Sequence, residues 1–291
     1  MTPFKGIIPA LITPLTDRQT VDEAGLRTLV DTLVEKGVHG LFALGTNGEF
    51  FALDDEEKID VARIVVDQAR GRVPVIAGTG AFTTQAVIDM NARMAQVGVD
   101  ACSIITPYFN AVSQRELVTH YTAIAEQATL PFMLYNIPAK TGGTINVDTV
   151  AELSHLPMIQ GIKDSGGDFD RLTQLIGLKR DDFAVFTGTD SLILWGLLAG
   201  ADGAVAATTN AVPDTVMSIY NAFQAGDMET ARESQEKLRV LRTAFGMATM
   251  PVVLKAAAEL MGMPAGPTRA PALPLSEEQR FKLDELMQVY R

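Results

Sequence analysis

Short apolar runs rich in β-branched residues alternate along this chain with longer segments whose apolar positions recur at helical spacing. The short runs predict strands near 6–13, 39–44, 74–78, 101–106, 131–136, 159–164, 183–187 and 203–208. Between and after them, helical periodicity predicts helices near 22–36, 55–70, 83–97, 113–127, 147–154, 168–178, 191–199 and 212–225. Near-continuous apolar strands separated by amphipathic helices are the signature of parallel βαβ units. Eight such units in strict succession suit a closed sheet better than an open one, so the expected fold class is α/β, a (β/α)8 TIM barrel. Asp54 with Glu57, and Ser113 with Glu116, carry the capping-box spacing at two of the helix starts. After about residue 226 the strand pattern stops. Helical stretches at 227–246, 251–262 and 276–290, with the loop GMPAGPTRAPALPL among them, predict a C-terminal helical extension. The expected organisation is therefore a barrel over 1–226 and an extension, packed on it, over 227–291.

Composition narrows the function classes. At 291 residues and 47% hydrophobic content the chain can bury a large core. A net charge of −11 repels a polyanion over most of the surface, which argues against nucleic acid as a partner. An anionic substrate would have to be held by backbone dipoles and a few placed cations. Cys102 is the single cysteine, which excludes an intrachain disulfide framework and fits a reducing compartment. His39, His120 and His155 lie far apart and no H-x-x-x-H or C-x-x-C occurs, so no metal site is signalled. Residues 6–15, GIIPALITPL, have the apolarity of a signal-peptide core, but two prolines interrupt them and no small-residue cleavage site follows. No run reaches the ~18 apolar residues of a spanning helix. The expectation is a cytoplasmic, soluble protein with no membrane partner.

In a barrel of this kind the chemistry gathers at the C-terminal ends of the strands. Lys163 stands out there, because IQGIKDS otherwise reads as a buried strand. Low dielectric disfavours an ammonium, and a free amine attacks a ketone. The resulting protonated Schiff base on a 2-oxo acid is an electron sink that lets a carbon–carbon bond break or form through an enamine. The structural alternative is a strand-end lysine whose stem is buried and whose head reaches water. Tyr135 lies about one βα unit upstream, at the mouth of the adjacent strand, where a phenol can pass protons; it also suits a plain rim position. The stretch Gly45-Thr46-Asn47-Gly48-Glu49 offers consecutive backbone N–H groups and a hydroxyl in a turn, a cradle for a small carboxylate. It lacks the Gly-Lys-Ser/Thr ending of a P-loop, so ATP is not implied, and a glycine-rich turn is often only a turn.

With these residues in place the chain resembles the dihydrodipicolinate synthase / N-acetylneuraminate lyase family of class I aldolases. The likeness runs through GIIPALITPLT, GTNGE, TPYFN, YNIPAKTG, GIKDSGGD and GLLAGADGAV. The resemblance implies a (β/α)8 barrel with C-terminal helices, a homotetramer, and action on pyruvate or related 2-oxo acids, with an aldehyde as second partner and no metal or other cofactor. It implies Lys163 as the Schiff-base lysine, Tyr135 as the proton-relay tyrosine and Thr46 as the hydroxyl near the pyruvate carboxylate, with Asn47 and Gly48 in the same loop.

Several positions depart from the family's branches. Lys140 stands where the synthase branch has an arginine for the aldehyde's carboxylate, and a lysine cannot reproduce that planar fork. Phe109 stands where the family places a relay tyrosine reaching the partner subunit, and Asn47 replaces the second threonine of the carboxylate loop. From the sialic acid branch, Asp190 and Ser165 match, whereas Ser191 and Ala207 do not. KDSGGD and RAPALPLS resemble aldolases of hydroxy-oxo acids and 2-keto-3-deoxy sugar acids. The leading expectation is thus an aldolase or lyase of hydroxylated 2-oxo acids, with Lys140, Ser165 and Asp190 as substrate-binding candidates. The synthase reaction itself, a sugar-acid dehydratase using the same iminium, and a non-catalytic 2-oxo acid binder stand beside it.

Overall fold

The computed structural model describes residues 4–291. Its strands are β1 (Gly6–Pro9), β2 (Leu41–Ala43), β3 (Val75–Gly78), β4 (Ala101–Ile105), β5 (Phe132–Asn136), β6 (Ile159–Asp164), β7 (Ala184–Thr187) and β8 (Gly203–Ala206). Helices α1 (Glu23–Glu35), α2 (Asp55–Ala69), α3 (Thr84–Val97), α4 (Gln114–Gln127), α5 (Pro138–Thr141), α6 (Val147–Leu153), α7 (Phe169–Ile176), α8 (Ile193–Ala199) and α9 (Pro213–Ala225) fill the intervals. Then come α10 (Met228–Ala244), α11 (Val252–Leu260) and α12 (Glu277–Met287). The strands form one sheet in the order β1-β8-β7-β6-β5-β4-β3-β2, so each strand lies beside its neighbour in sequence. A parallel bridge between Ala10 and Phe42 joins the segments at the two ends of that order. The fold is the (β/α)8 TIM barrel that the alternation predicts.

By packing, the chain divides into two compact units. One comprises Ile76–Val205 with residues 4–6; the other comprises Ile7–Val75 with Ala206–Arg291. In the first, β4 to β8 are paired in parallel, with Tyr135 opposite Lys163 and Lys163 opposite Phe186. These strands are buried on both faces, which is why they read as apolar runs without alternation. Their approach is close where side chains are absent: a Cβ on Gly161 would lie 2.5 Å from the Ala184 carbonyl oxygen. Gly161 therefore lets β6 lie against β7 two residues before Lys163.

In the second unit, the strand expected over 6–13 is regular only to Pro9: Ala10 and Leu11 still donate to the Ala206 and Phe42 carbonyls, and the backbone pairing gives way at Ile12 to a side chain. Ile12 N–H donates to Asn210 Oδ1 (3.1 Å), and Asn210 Nδ2 donates to the Ala10 and Ala207 carbonyls (2.8 Å each). Asn210 is fully buried with both ends of its amide paired, as a polar group in a core must be. Helix α10 packs on α9 and buries Ala231, Leu238, Leu241 and Ala244 at helical spacing.

The capping boxes read at Asp54/Glu57 and Ser113/Glu116 are both formed. Each satisfies amides that the first helical turn leaves free. Helix α5 is an addition to the expected set. It starts on Pro138, whose fixed φ and missing N–H suit a first helical position, and Gly142 ends it at φ +75°. No helix among the described residues is long and apolar enough to cross a membrane.

Candidate active site

The ends of β5 and β6 bring Tyr135 and Lys163 together. The two are register partners, 4% and 3% exposed, and Lys163 Nζ lies 4.0 Å from the centroid of the Tyr135 ring. An ammonium on an aromatic face gains about 0.5–2 kcal/mol, which holds the lysine head inward instead of letting it reach water. The snorkelling alternative does not describe this residue.

Space for the lysine is made by Gly188, just after β7. A Cβ there would fall 2.9 Å from Lys163 Cε and 2.1 Å from Ser165 Oγ. Ser165 Oγ donates to the Gly188 carbonyl (3.2 Å), so the hydroxyl predicted from sequence does stand beside the lysine. Gly188 was visible in the sequence only as part of a strand-end turn; nothing in the local pattern shows that a lysine on the adjacent strand needs its missing side chain.

The reverse face of the same strand ends carries a closed polar network. Asn136 Nδ2 donates to Asp164 Oδ1 (3.1 Å), and Asn136 Oδ1 accepts from Thr144 Oγ1 (3.0 Å) and Ile145 N–H (3.1 Å). Asp164 also accepts from Gly166 N–H (3.0 Å) and from Arg171 Nε (3.0 Å), while Arg171 donates to the Ile145 carbonyl. Asn136 follows Tyr135 and Asp164 follows Lys163, so strand alternation sends one residue of each pair to the chemistry and the other to this lock. Sequence reasoning missed Asn136, Asp164 and Arg171, although paired polar residues at two adjacent buried strand ends are a usable signal.

Asp190 opens a short 3-10 turn after β7 and is 2% exposed. Lys140 lies on α5 with its side chain exposed. Phe109, in the loop after β4, is 95% exposed with φ +79°.

Thr46, Asn47 and Gly48 belong to the other unit, where they form a single 3-10 turn after β2. The Gly48 carbonyl accepts from Thr13 Oγ1 (2.7 Å), and a Cβ on Gly48 would lie 3.1 Å from the Leu11 carbonyl oxygen. The turn is closed by Glu49, whose N–H donates to the Thr46 carbonyl (3.3 Å) and whose φ is +56°.

A buried lysine held against a tyrosine at adjacent strand ends of a (β/α)8 barrel is the equipment of a class I aldolase or lyase, which works through a lysine Schiff base. Comparison with known proteins makes the assignment narrower. The Dihydrodipicolinate synthetase family matches residues 3–289. A 4-hydroxy-tetrahydrodipicolinate synthase of Methanothrix thermoacetophila is 39% identical over 285 residues, 98% of this chain and 96% of that protein. Among solved structures, a dihydrodipicolinate synthase from Bacillus anthracis superposes with a TM-score of 0.95 at 39% identity, covering 99% of each chain. A prophage protein of the same family from Escherichia coli K12, solved in complex with pyruvate, gives 0.94 at 34% identity over 98% of each chain. The chain belongs to the dihydrodipicolinate synthetase family, and it is a lyase of the pyruvate Schiff-base type.

Proposed function

We propose that this enzyme activates pyruvate on Lys163 and joins it to, or releases it from, an aldehyde. The observation that carries the reading is Lys163 Nζ turned inward on the Tyr135 ring. Lys163 Nζ, once deprotonated, adds to C2 of pyruvate; loss of the C2 oxygen as water leaves the iminium. A proton then leaves C3, the electron pair moves toward the iminium nitrogen, and the enamine carbon attacks the aldehyde carbonyl. Water adds back to C2 and frees the lysine. Tyr135 moves protons at the carbinolamine and enamine steps, and Thr46, with the N–H groups of Asn47 and Gly48, receives the carboxylate. Ser165 and Asp190 are assigned to hydroxyls of the second partner, and Lys140 to its distal end. The barrel of residues 1–226, with 227–291 as its extension, acts as a homotetramer in the cytoplasm.

For that second partner, the names of the relatives favour 4-hydroxy-tetrahydrodipicolinate synthase, the condensation of pyruvate with aspartate semialdehyde. This ranks it above the aldolase of hydroxylated 2-oxo acids that the sequence alone favours. The second reading rests on Phe109, which has no hydroxyl to relay a proton, and on Lys140 in place of a planar guanidinium. Parallel assays separate them: turnover of pyruvate with aspartate semialdehyde supports the synthase. Release of pyruvate from 2-keto-3-deoxy sugar acids, without that turnover, supports the aldolase. An intact carbon chain short of one water identifies a dehydratase.

A further inference from the structure

A second buried charge pair lies far from Lys163 in sequence. Lys255, on α11, is 2% exposed, and its Nζ is 2.7 Å from Glu49 Oε1 and 2.7 Å from the Pro267 carbonyl. Glu49 is 3% exposed, and its other oxygen accepts the Arg269 N–H at 2.8 Å. The Arg269 guanidinium donates onward to the Ala52 and Gln19 carbonyls and to both oxygens of Glu57, the capping-box residue of α2. Two residues of the C-terminal segment thus grip the chain on both sides of the turn that follows β2.

Stability alone is a poor reason for such a pair. Desolvating two charges offsets most of their attraction, and apolar side chains of similar volume often serve as well. Burial indeed pulls the Lys255 ammonium below the ordinary lysine range, with Glu49 opposing that shift. What the pair does supply is direction. Glu49 adopts a left-handed backbone conformation that costs a non-glycine residue about 1–2 kcal/mol, and such a conformation persists only where its surroundings enforce it. The enforced residue is the one that closes the Thr46–Gly48 turn.

We propose that Glu49, Lys255 and Arg269 form a clamp by which the C-terminal segment holds the Thr46–Gly48 turn in the shape that receives the carboxylate of a 2-oxo acid. This rests on the assignment of that turn as the carboxylate site. Glu49 and Lys255 are positioning residues; neither touches the reacting atoms. The C-terminal helices are then part of the substrate-binding apparatus and not only a cover on the fold.

The test uses borohydride trapping of pyruvate on Lys163, which needs no second substrate. It reads two quantities, the pyruvate concentration for half-maximal trapping and the limiting trapping rate. Lys255→Ala raises the half-maximal concentration about tenfold and leaves the limiting rate within about threefold, because binding geometry is lost while the nucleophile is intact.

Lys255 also lines a cavity of about 620 Å³ between α11, the 266–275 segment and α12, open to molecules from solution. Ethylamine, as its ammonium ion, therefore restores the lower half-maximal concentration in Lys255→Ala. Tetramethylammonium at equal ionic strength, which donates no hydrogen bond, does not. If Lys255→Ala fails to fold, the double variant Glu49→Gln/Lys255→Met leaves no unpaired buried charge and shows the same rise.

Leu241→Ala, in the core of α10 within the same unit, serves as the control: it lowers Tm without raising the half-maximal concentration. A parent-like value in a folded clamp variant overturns the proposal, and so does an equal rise in Leu241→Ala. If the parent enzyme traps no pyruvate, the carboxylate assignment fails and the clamp falls with it. Trapping by the parent with unchanged clamp variants removes the clamp alone.

Discussion

At the scale of single residues, the account depends on the head of Lys163 being held by Tyr135 in a space left by Gly188. Tyr135→Phe keeps the ring face and removes the phenol, so turnover falls by about 10²- to 10⁴-fold through loss of proton transfer, while trapping of pyruvate on Lys163 is slowed at the carbinolamine step but not abolished. Equal rates for the variant and the parent in a steady-state assay would remove the relay role. Gly188→Ala forces Lys163 or Ser165 to move, which costs about tenfold or more in trapping rate, with the thermal midpoint nearly unchanged. A parent-like rate would show that the lysine has room to spare.

His120 offers a pH test away from the chemistry. It is buried on α4 with Nδ1 against Thr84 Oγ1 (2.9 Å), and burial pulls its pKa from 6.5 down to about 4. Below pH 6.5 the unfolded chain takes up a proton that the folded chain refuses. Stability is therefore lost as pH falls from 6.5 toward 4, by up to roughly 3 kcal/mol. Urea unfolding across that range should show a steeper loss for the parent than for His120→Gln; parallel slopes would contradict the assignment.

At the scale of elements, the strand and helix succession was legible because each unit repeats the same burden: a strand buried on both faces, then a helix with one apolar stripe. The capping boxes at Asp54 and Ser113 and the pairing of Tyr135 with Lys163 were legible for the same reason, since each depends on residues close in sequence or one unit apart. Strand ends were less so. Residues 10–13 have strand-like apolarity, but the Ile12 amide and the Ala10 carbonyl are taken by Asn210, some two hundred residues away, which no local pattern can reveal. The Glu49–Lys255 pair escaped for the same physical reason, its partners lying 206 residues apart; the Asn136–Asp164–Arg171 lock spans no more than one unit, and its signal, polar residues at two adjacent buried strand ends, was present in the sequence.

The lock makes its own prediction. Arg171→Gln leaves Asp164 with a buried charge short of its cation, which costs about 3–5 kcal/mol. Asp164→Asn/Arg171→Gln, which removes both charges, should be the more stable of the two in urea unfolding. The reverse order would show that the ion pair is not what holds the strand ends.

At the scale of the whole molecule, the family likeness covers nearly the full chain, so fold and reaction type transfer together while the second substrate does not. A tetramer is the assembly proposed, and Phe109, a 95% exposed aromatic in a left-handed backbone conformation, is the residue to perturb. Light scattering should give about four times 31.3 kDa for the parent and a smaller mass for Phe109→Asp. A monomeric parent would contradict the tetramer.

The central claim is that Lys163 carries pyruvate. It is tested most directly by reducing the enzyme with borohydride in the presence of pyruvate and locating the adduct by peptide mass spectrometry. The account predicts a single pyruvate-derived adduct on Lys163 that is absent from Lys163→Ala. An adduct on another lysine, or none on folded enzyme at ample pyruvate, would contradict it.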